Sequence, residues 1–100
     1  MGKYSIEYLP IAYEDLDDIF NYIFADDPGA AVALLDDFDA AILHLEDFSY
    51  MEINIKNRRL ANKGYQMLPV NYYLVFYVVD GNIVEIRRIL SSKRNYAKLI

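Results

Sequence analysis

Cysteine and tryptophan are absent from this 100-residue chain, which has only four glycines, three prolines and one histidine. Without cysteine there is no disulfide framework, no thiolate nucleophile and no Cys-based metal site, a composition that suits a reducing cytoplasm. The lone His44 has no neighbouring His or Cys to complete a metal shell, so no metal is expected. Neither a P-loop nor a dinucleotide-binding glycine pattern occurs, and four glycines cannot assemble a phosphate cradle, so no nucleotide cofactor is expected. No apolar run approaches the roughly 18 residues of a membrane span. The opening MGKYSIEYLP lacks a charged-then-apolar leader, so the expectation is a cytoplasmic protein without a membrane partner.

What is present is 55% hydrophobic and 25% charged residues, the composition of one globular domain over residues 1–100. So short a chain buries only about two-thirds of its unfolded surface, and spare apolar surface is expected to face a partner. The net charge of -5 conceals an asymmetry. Residues 1–45 hold ten acids and the single base Lys3, for -9; residues 46–100 hold nine bases and five acids, for +4. A basic half with interleaved tyrosines suits nucleic acid or an acidic protein.

Lys3 to Leu9 alternates Tyr4, Ile6 and Tyr8 with Ser5 and Glu7, the two-residue period of a strand, and Pro10 ends it. From Ala12 the apolar positions Leu16, Ile19, Phe20 and Ile23 take helical spacing, with Glu14, Asp15, Asp17 and Asp18 behind them. Asp27 followed by Pro28 predicts a capped second helix, whose stripe is Ala31, Leu34, Leu35, Phe38, Ala41, Ile42 and Leu45. The Asp pairs at 17/18, 26/27 and 36/37 read as solvated helix backs and caps rather than paired catalytic carboxylates. Phe48 to Lys63 has no clear period and predicts a connection with at most one short element. Strands follow at 65–69, 72–79 and 82–90, then a loop and a short helical turn. The expected fold is α+β in the order βααβββ: an antiparallel sheet of about four strands with a helical hairpin on one face.

Asp80-Gly81 is a two-residue hairpin signal. With that turn, Val79 pairs with Asn82, Tyr77 with Val84, Val75 with Ile86 and Tyr73 with Arg88. The helices cover one face, so one set must look outward. Leu74, Phe76 and Val78 are the better core candidates because a tyrosine hydroxyl seeks water or a partner. Tyr73, Tyr77 and Arg88 then face out, while Glu85 and Arg87 share the inner face, which they tolerate only as a pair or at its margin.

The chemistry left is basic and aromatic: Lys56, Arg58, Arg59, Lys63, Arg87, Arg88, Lys93, Arg94 and Tyr96. Guanidinium groups can hold a phosphate bidentately, and tyrosine can stack on a base or donate a proton. The same groups can grip an acidic partner.

Several stretches together resemble the RelE/ParE superfamily of toxins: Asp15-Leu16-x-x-Ile19-x-x-Tyr22-Ile23; Gly64-Tyr65-x-Met67-Leu68; Tyr72-Tyr73-Leu74-Val75-Phe76-Tyr77; and Ile86-Arg87-Arg88-Ile89-Leu90-x-x-x-Arg94-x-Tyr96. The resemblance spans almost the whole chain and rests on order and spacing. It implies the toxin half of a type II toxin–antitoxin pair, masked by a cognate antitoxin. RelE-type toxins cleave mRNA on the ribosome with lysines spaced by two on the strand after the helices, an arginine opening the next strand, and basic and tyrosine groups near the carboxyl end. The strand positions here are Gln66, Leu68 and Tyr73, while Lys93, Arg94 and Tyr96 match in kind. If the chain is a ribonuclease, Arg88, Arg94 and Tyr96 would contact RNA. The missing strand groups favour ParE-type action, in which DNA gyrase is the target and no catalytic constellation is needed. A degenerate member that only binds its antitoxin is a third reading. On each of these, Lys56, Arg58, Arg59, Tyr73, Arg87, Arg88, Lys93 and Arg94 are the candidate target- or antitoxin-binding residues.

Overall fold

In the computed structural model, which describes residues 3–47 and 53–100, the alternating segment forms β1 (Ser5–Tyr8). Pro10 does more than end that strand. It occupies the first turn of α1 (Pro10–Phe24), where its missing N–H costs nothing. The second helix, α2 (Pro28–His44), starts as the sequence indicates: the Asp27 side chain accepts from the Ala30 N–H at 3.1 Å, with Pro28 behind the cap.

The connection to the remaining strands holds two short elements rather than one. These are β2 (Ile53–Asn54) and α3 (Arg58–Asn62); Phe48 to Glu52 lie outside the described residues. Asn57 caps α3 by accepting from the Leu60 N–H at 3.1 Å, and Leu60 is fully buried. Then come β3 (Tyr65–Val70), β4 (Tyr73–Asp80), β5 (Ile83–Ser91) and the short α4 (Tyr96–Leu99).

The α+β class and the βααβββ order hold; α4 is the short helical turn expected after the last strand, and the pair β2 and α3 is one element more than the connection was expected to hold. Among the described residues the sheet runs β1-β5-β4-β3-β2. It is mixed rather than wholly antiparallel: β1 lies parallel to β5, Ser5 opposite Ile83 and Tyr8 opposite Ile86. A parallel pair cannot be closed by a tight turn, and here the helical hairpin and the other strands intervene between the two.

The β4–β5 hairpin corrects the expected register. Its turn is Gly81-Asn82, not Asp80-Gly81, because Asp80 pairs with Ile83. Gly81 alone of the two takes a positive φ, 62°, as a type II′ turn requires at its first central position. The pairs are Val79 with Val84 and Tyr77 with Ile86. A bulge at Phe76/Tyr77 then leaves Arg87 unpaired, so that Phe76 meets Arg88, Val75 meets Ile89 and Tyr73 meets Ser91.

The expected choice of faces is reversed as well. Val75, Tyr77, Val84, Ile86 and Ile89 pack under the hairpin against Leu34, Phe38, Ile42 and Leu45. Tyr77 can be buried because its hydroxyl reaches Gln66 Oε1 at 3.4 Å. Phe76 and Leu90 are buried on the other side, with Ile55 and Leu60, beneath Tyr96, Leu99 and Ile100. That face is therefore not bare, as a two-layer body would leave it. The chain's own α3 and carboxyl end cover part of it.

Candidate functional site

The strand β1 reaches only to Tyr8 opposite Ile86, so β5 runs on from Arg87 without a neighbour on that side. Asp15 from α1 fills the gap. Its carboxylate accepts from the Ile89 backbone N–H at 3.0 Å and from Arg88 Nε and Nη2 at 2.8 and 3.0 Å. Arg88 Nη1 also donates to the Leu99 carbonyl at 3.0 Å. Both side chains are largely buried, 13% and 18% exposed, and the bond to Asp15 holds the guanidinium above its ordinary pKa. Arg88 thus ties α1, β5 and the carboxyl end together, with its donors engaged inside the chain.

Other basic residues named from sequence divide into engaged and free. Arg59 donates from Nη2 to the Ala97 carbonyl and from Nη1 to that of Ile100, fastening α3 to α4. Arg87 lies over the Tyr65 ring, 5.5 Å from its centroid, and pairs with Glu85 at 2.6 Å, the pairing that their shared face demanded. Bonding to Tyr65 and then to Glu85 raises the Arg87 pKa. Tyr73 is half-buried under the hairpin, its ring 5.8 Å from that of Phe38. Tyr96 packs on Phe76 with centroids 5.0 Å apart. Lys56, Arg58, Lys63, Lys93, Arg94 and Lys98 are exposed. Arg88, Arg94 and Tyr96 therefore do not form a set of free groups: only Arg94 of the three is exposed.

The acidic side is the outer surface of the hairpin, where Glu14, Asp17, Asp18, Asp36, Asp37 and Asp39 are exposed. A shallow groove of about 460 Å³ runs along α1, lined by Tyr13, Leu16, Phe20 and Leu35 and flanked by Glu14 and Asp17. Phe24 extends it by stacking on Phe20 at 5.4 Å. Tyr13 and Phe24 stand 58% and 46% exposed, large apolar surface for a chain this small. The helical stripe read from sequence stopped at Ile23 and omitted both; aromatics flanking an apolar stripe are the signal that would have widened it. At the other end of the hairpin, Ile23, Ala30, Leu34, Asn71, Tyr72 and Tyr73 line a second hollow of about 450 Å³. Tyr72, where the sequence predicts the first residue of a strand, lies instead on the β3–β4 turn and is 78% exposed.

No group of three or more metal-ligating side chains occurs among the described residues, and no helix there is long and apolar enough to cross a membrane.

The described residues thus form a small mixed sheet with a helical hairpin on one side and short basic elements on the other, and a family match places that fold among the toxins of type II toxin–antitoxin systems. The sequence profile of the ParE toxin of the type II toxin-antitoxin system parDE matches residues 6–96, and the chain belongs to that family. Among solved structures, a chain of the chromosomal ParDE TA system from P. aeruginosa is similar, with a TM-score of 0.75 and 18% identity over 89% of this chain and 96% of that one. At that identity the likeness is one of fold. No curated protein matches the sequence.

Proposed function

We propose that this toxin acts in the cytoplasm by arresting growth through DNA gyrase and is held inactive by a cognate antitoxin. The observation that carries the choice of gyrase over mRNA is the engagement of Arg88. Phosphodiester cleavage without a metal needs cations free to meet charge developing on the phosphate. Arg88 is instead bound to Asp15 and Leu99, Tyr96 is packed on Phe76, and Gln66, Leu68 and Tyr73 occupy the positions where RelE-type toxins are basic. A toxin that works by binding a protein needs surface rather than such a constellation. The exposed Lys56, Arg58, Lys93 and Arg94 are the residues we assign to target contact.

The antitoxin's seat on this reading is the α1 groove. Its apolar lining and flanking carboxylates favour an amphipathic segment with Lys or Arg beside its apolar anchors. The decisive experiment adds purified toxin, with and without antitoxin, to gyrase supercoiling and cleavage reactions, and in parallel maps mRNA ends after induction. Inhibited supercoiling relieved by antitoxin, with intact mRNA, is expected. Unaffected gyrase at micromolar toxin, or mRNA cut at ribosomal A sites, refutes the assignment.

A further inference from the structure

The corner where the β3–β4 turn meets the end of β5 combines an exposed aromatic ring with two unengaged cations. Tyr73 pairs with Ser91, and the Ser92 N–H donates to the Tyr72 carbonyl at 2.9 Å, which sets the 91–94 turn directly beside Tyr72. That turn is closed on itself: the Arg94 N–H donates to the Ser91 carbonyl at 3.1 Å, and the Lys93 N–H to Ser91 Oγ at 3.3 Å. Lys93 and Arg94 are exposed, and neither forms an ion pair among the described residues. Asp37, the acid contacting the β3–β4 turn, is occupied by Asn71 Nδ2 at 2.9 Å. Asn71 itself takes a φ of 53°, which fixes the turn that presents Tyr72.

A pinned backbone that sets an exposed tyrosine next to a turn bearing an exposed lysine and arginine matches the chemistry of a nucleic-acid strand: the cations take backbone phosphates and the ring takes the face of an unpaired base. We infer that Tyr72, Lys93 and Arg94 form a contact site for single-stranded DNA. This deepens, and rests on, the reading of DNA gyrase as target, an enzyme whose own substrate is DNA. Only an unpaired base offers its face to a turn-borne ring, so a single strand is favoured over a duplex. The net charge of -5 opposes polyanion binding elsewhere on the molecule, which confines contact to this corner and to the basic side beyond it.

The test is fluorescence anisotropy of a labelled single-stranded DNA 12-mer titrated with the full-length toxin at 50 and 200 mM salt. Two phosphate contacts predict a slope of log K against log salt containing about -1.4 from this pair, and Lys93→Ala with Arg94→Ala should flatten the slope by about that amount. Tyr72→Ala should weaken binding about fivefold or more, while Tyr72→Phe leaves it unchanged. Circular dichroism confirms that the variants fold, as surface positions should. The site is refuted if no binding occurs up to about 100 μM, if the variants bind like the parent, if duplex DNA or RNA of the same sequence binds as tightly, or if the same variants instead weaken antitoxin binding. Pull-down on immobilised gyrase without DNA separates the two readings. Retained gyrase binding with no DNA binding sinks this inference alone, and absent gyrase binding sinks the target assignment.

Discussion

The two faces of the sheet are both covered, but by unlike means. On one, α1 and α2 contribute a long apolar seam, and Phe38, Ile42 and Leu45 close over Val75, Tyr77 and Ile86. On the other, α3 and α4 are five and four residues long, too short to be stable helices alone, and to a smaller apolar cluster they add polar fastening: Arg59 and Arg88 each bind carbonyls of the final residues. One layer is held by a long apolar seam, the other by a smaller apolar cluster supplemented by a few directed bonds. The difference matches the division of labour proposed above, since the bonded side also carries the exposed cations.

The contrast is broken most directly by cavities. Phe38→Ala should cost about 3–5 kcal/mol in urea unfolding, and Leu60→Ala, equally buried but under a single short helix that can settle, about 2–3 kcal/mol. Equal losses would mean that the two layers are equally rigid. Next in size is Asp15→Ala, which strands both Arg88 and the Ile89 N–H. A loss of about 2–3 kcal/mol is expected, with faster amide exchange at both α1 and the carboxyl end. Exchange changing in α1 alone would show that Arg88 does not link the two layers.

Arg59→Ala should cost about 1 kcal/mol and speed exchange only in residues 96–100, leaving hairpin amides as they were. Smallest at neutral pH is Tyr8→Phe. Burial first, then Asp39 and Tyr13, push the Tyr8 pKa up to about 12 from an ordinary 10.0. The neutral phenol is thus favoured in the folded state. Its contribution is complete below pH 10 and lost as pH rises towards 12, so the phenylalanine variant should show a shallower alkaline decline in melting temperature.

How much of this was written in the sequence depends on the kind of signal. Helix limits at Asp27-Pro28, strand periods and the charge split were legible because each is local. The Asn57 cap of α3 is equally local, but the helix is a single turn with one buried apolar residue, Leu60, too short to show a period. The hairpin register was not legible, because Asp80-Gly81 and Gly81-Asn82 are both acceptable turns and packing chose between them. With the turn misplaced and the bulge unseen, the inward set came out wrong. A tyrosine hydroxyl favours water only where no partner lies inside, and Tyr77 finds one in Gln66 on the neighbouring strand. The engagement of the basic candidates is not local at all: Asp15, 73 positions from Arg88, is what removes that arginine from the surface.

Strict alternation would forbid two successive arginines from lying on one side of a strand, and the single surplus residue in β5 lifts that prohibition. Arg87 occupies the extra place and turns to Glu85 and Tyr65, which frees its successor to cross the rim of the sheet and grip Asp15. Excising Arg87 would therefore leave Ile89 seated under the helices and Arg88 still opposite Phe76. It would straighten the ribbon and delete one cation, making that position a spare part in the architecture where its neighbour is a keystone.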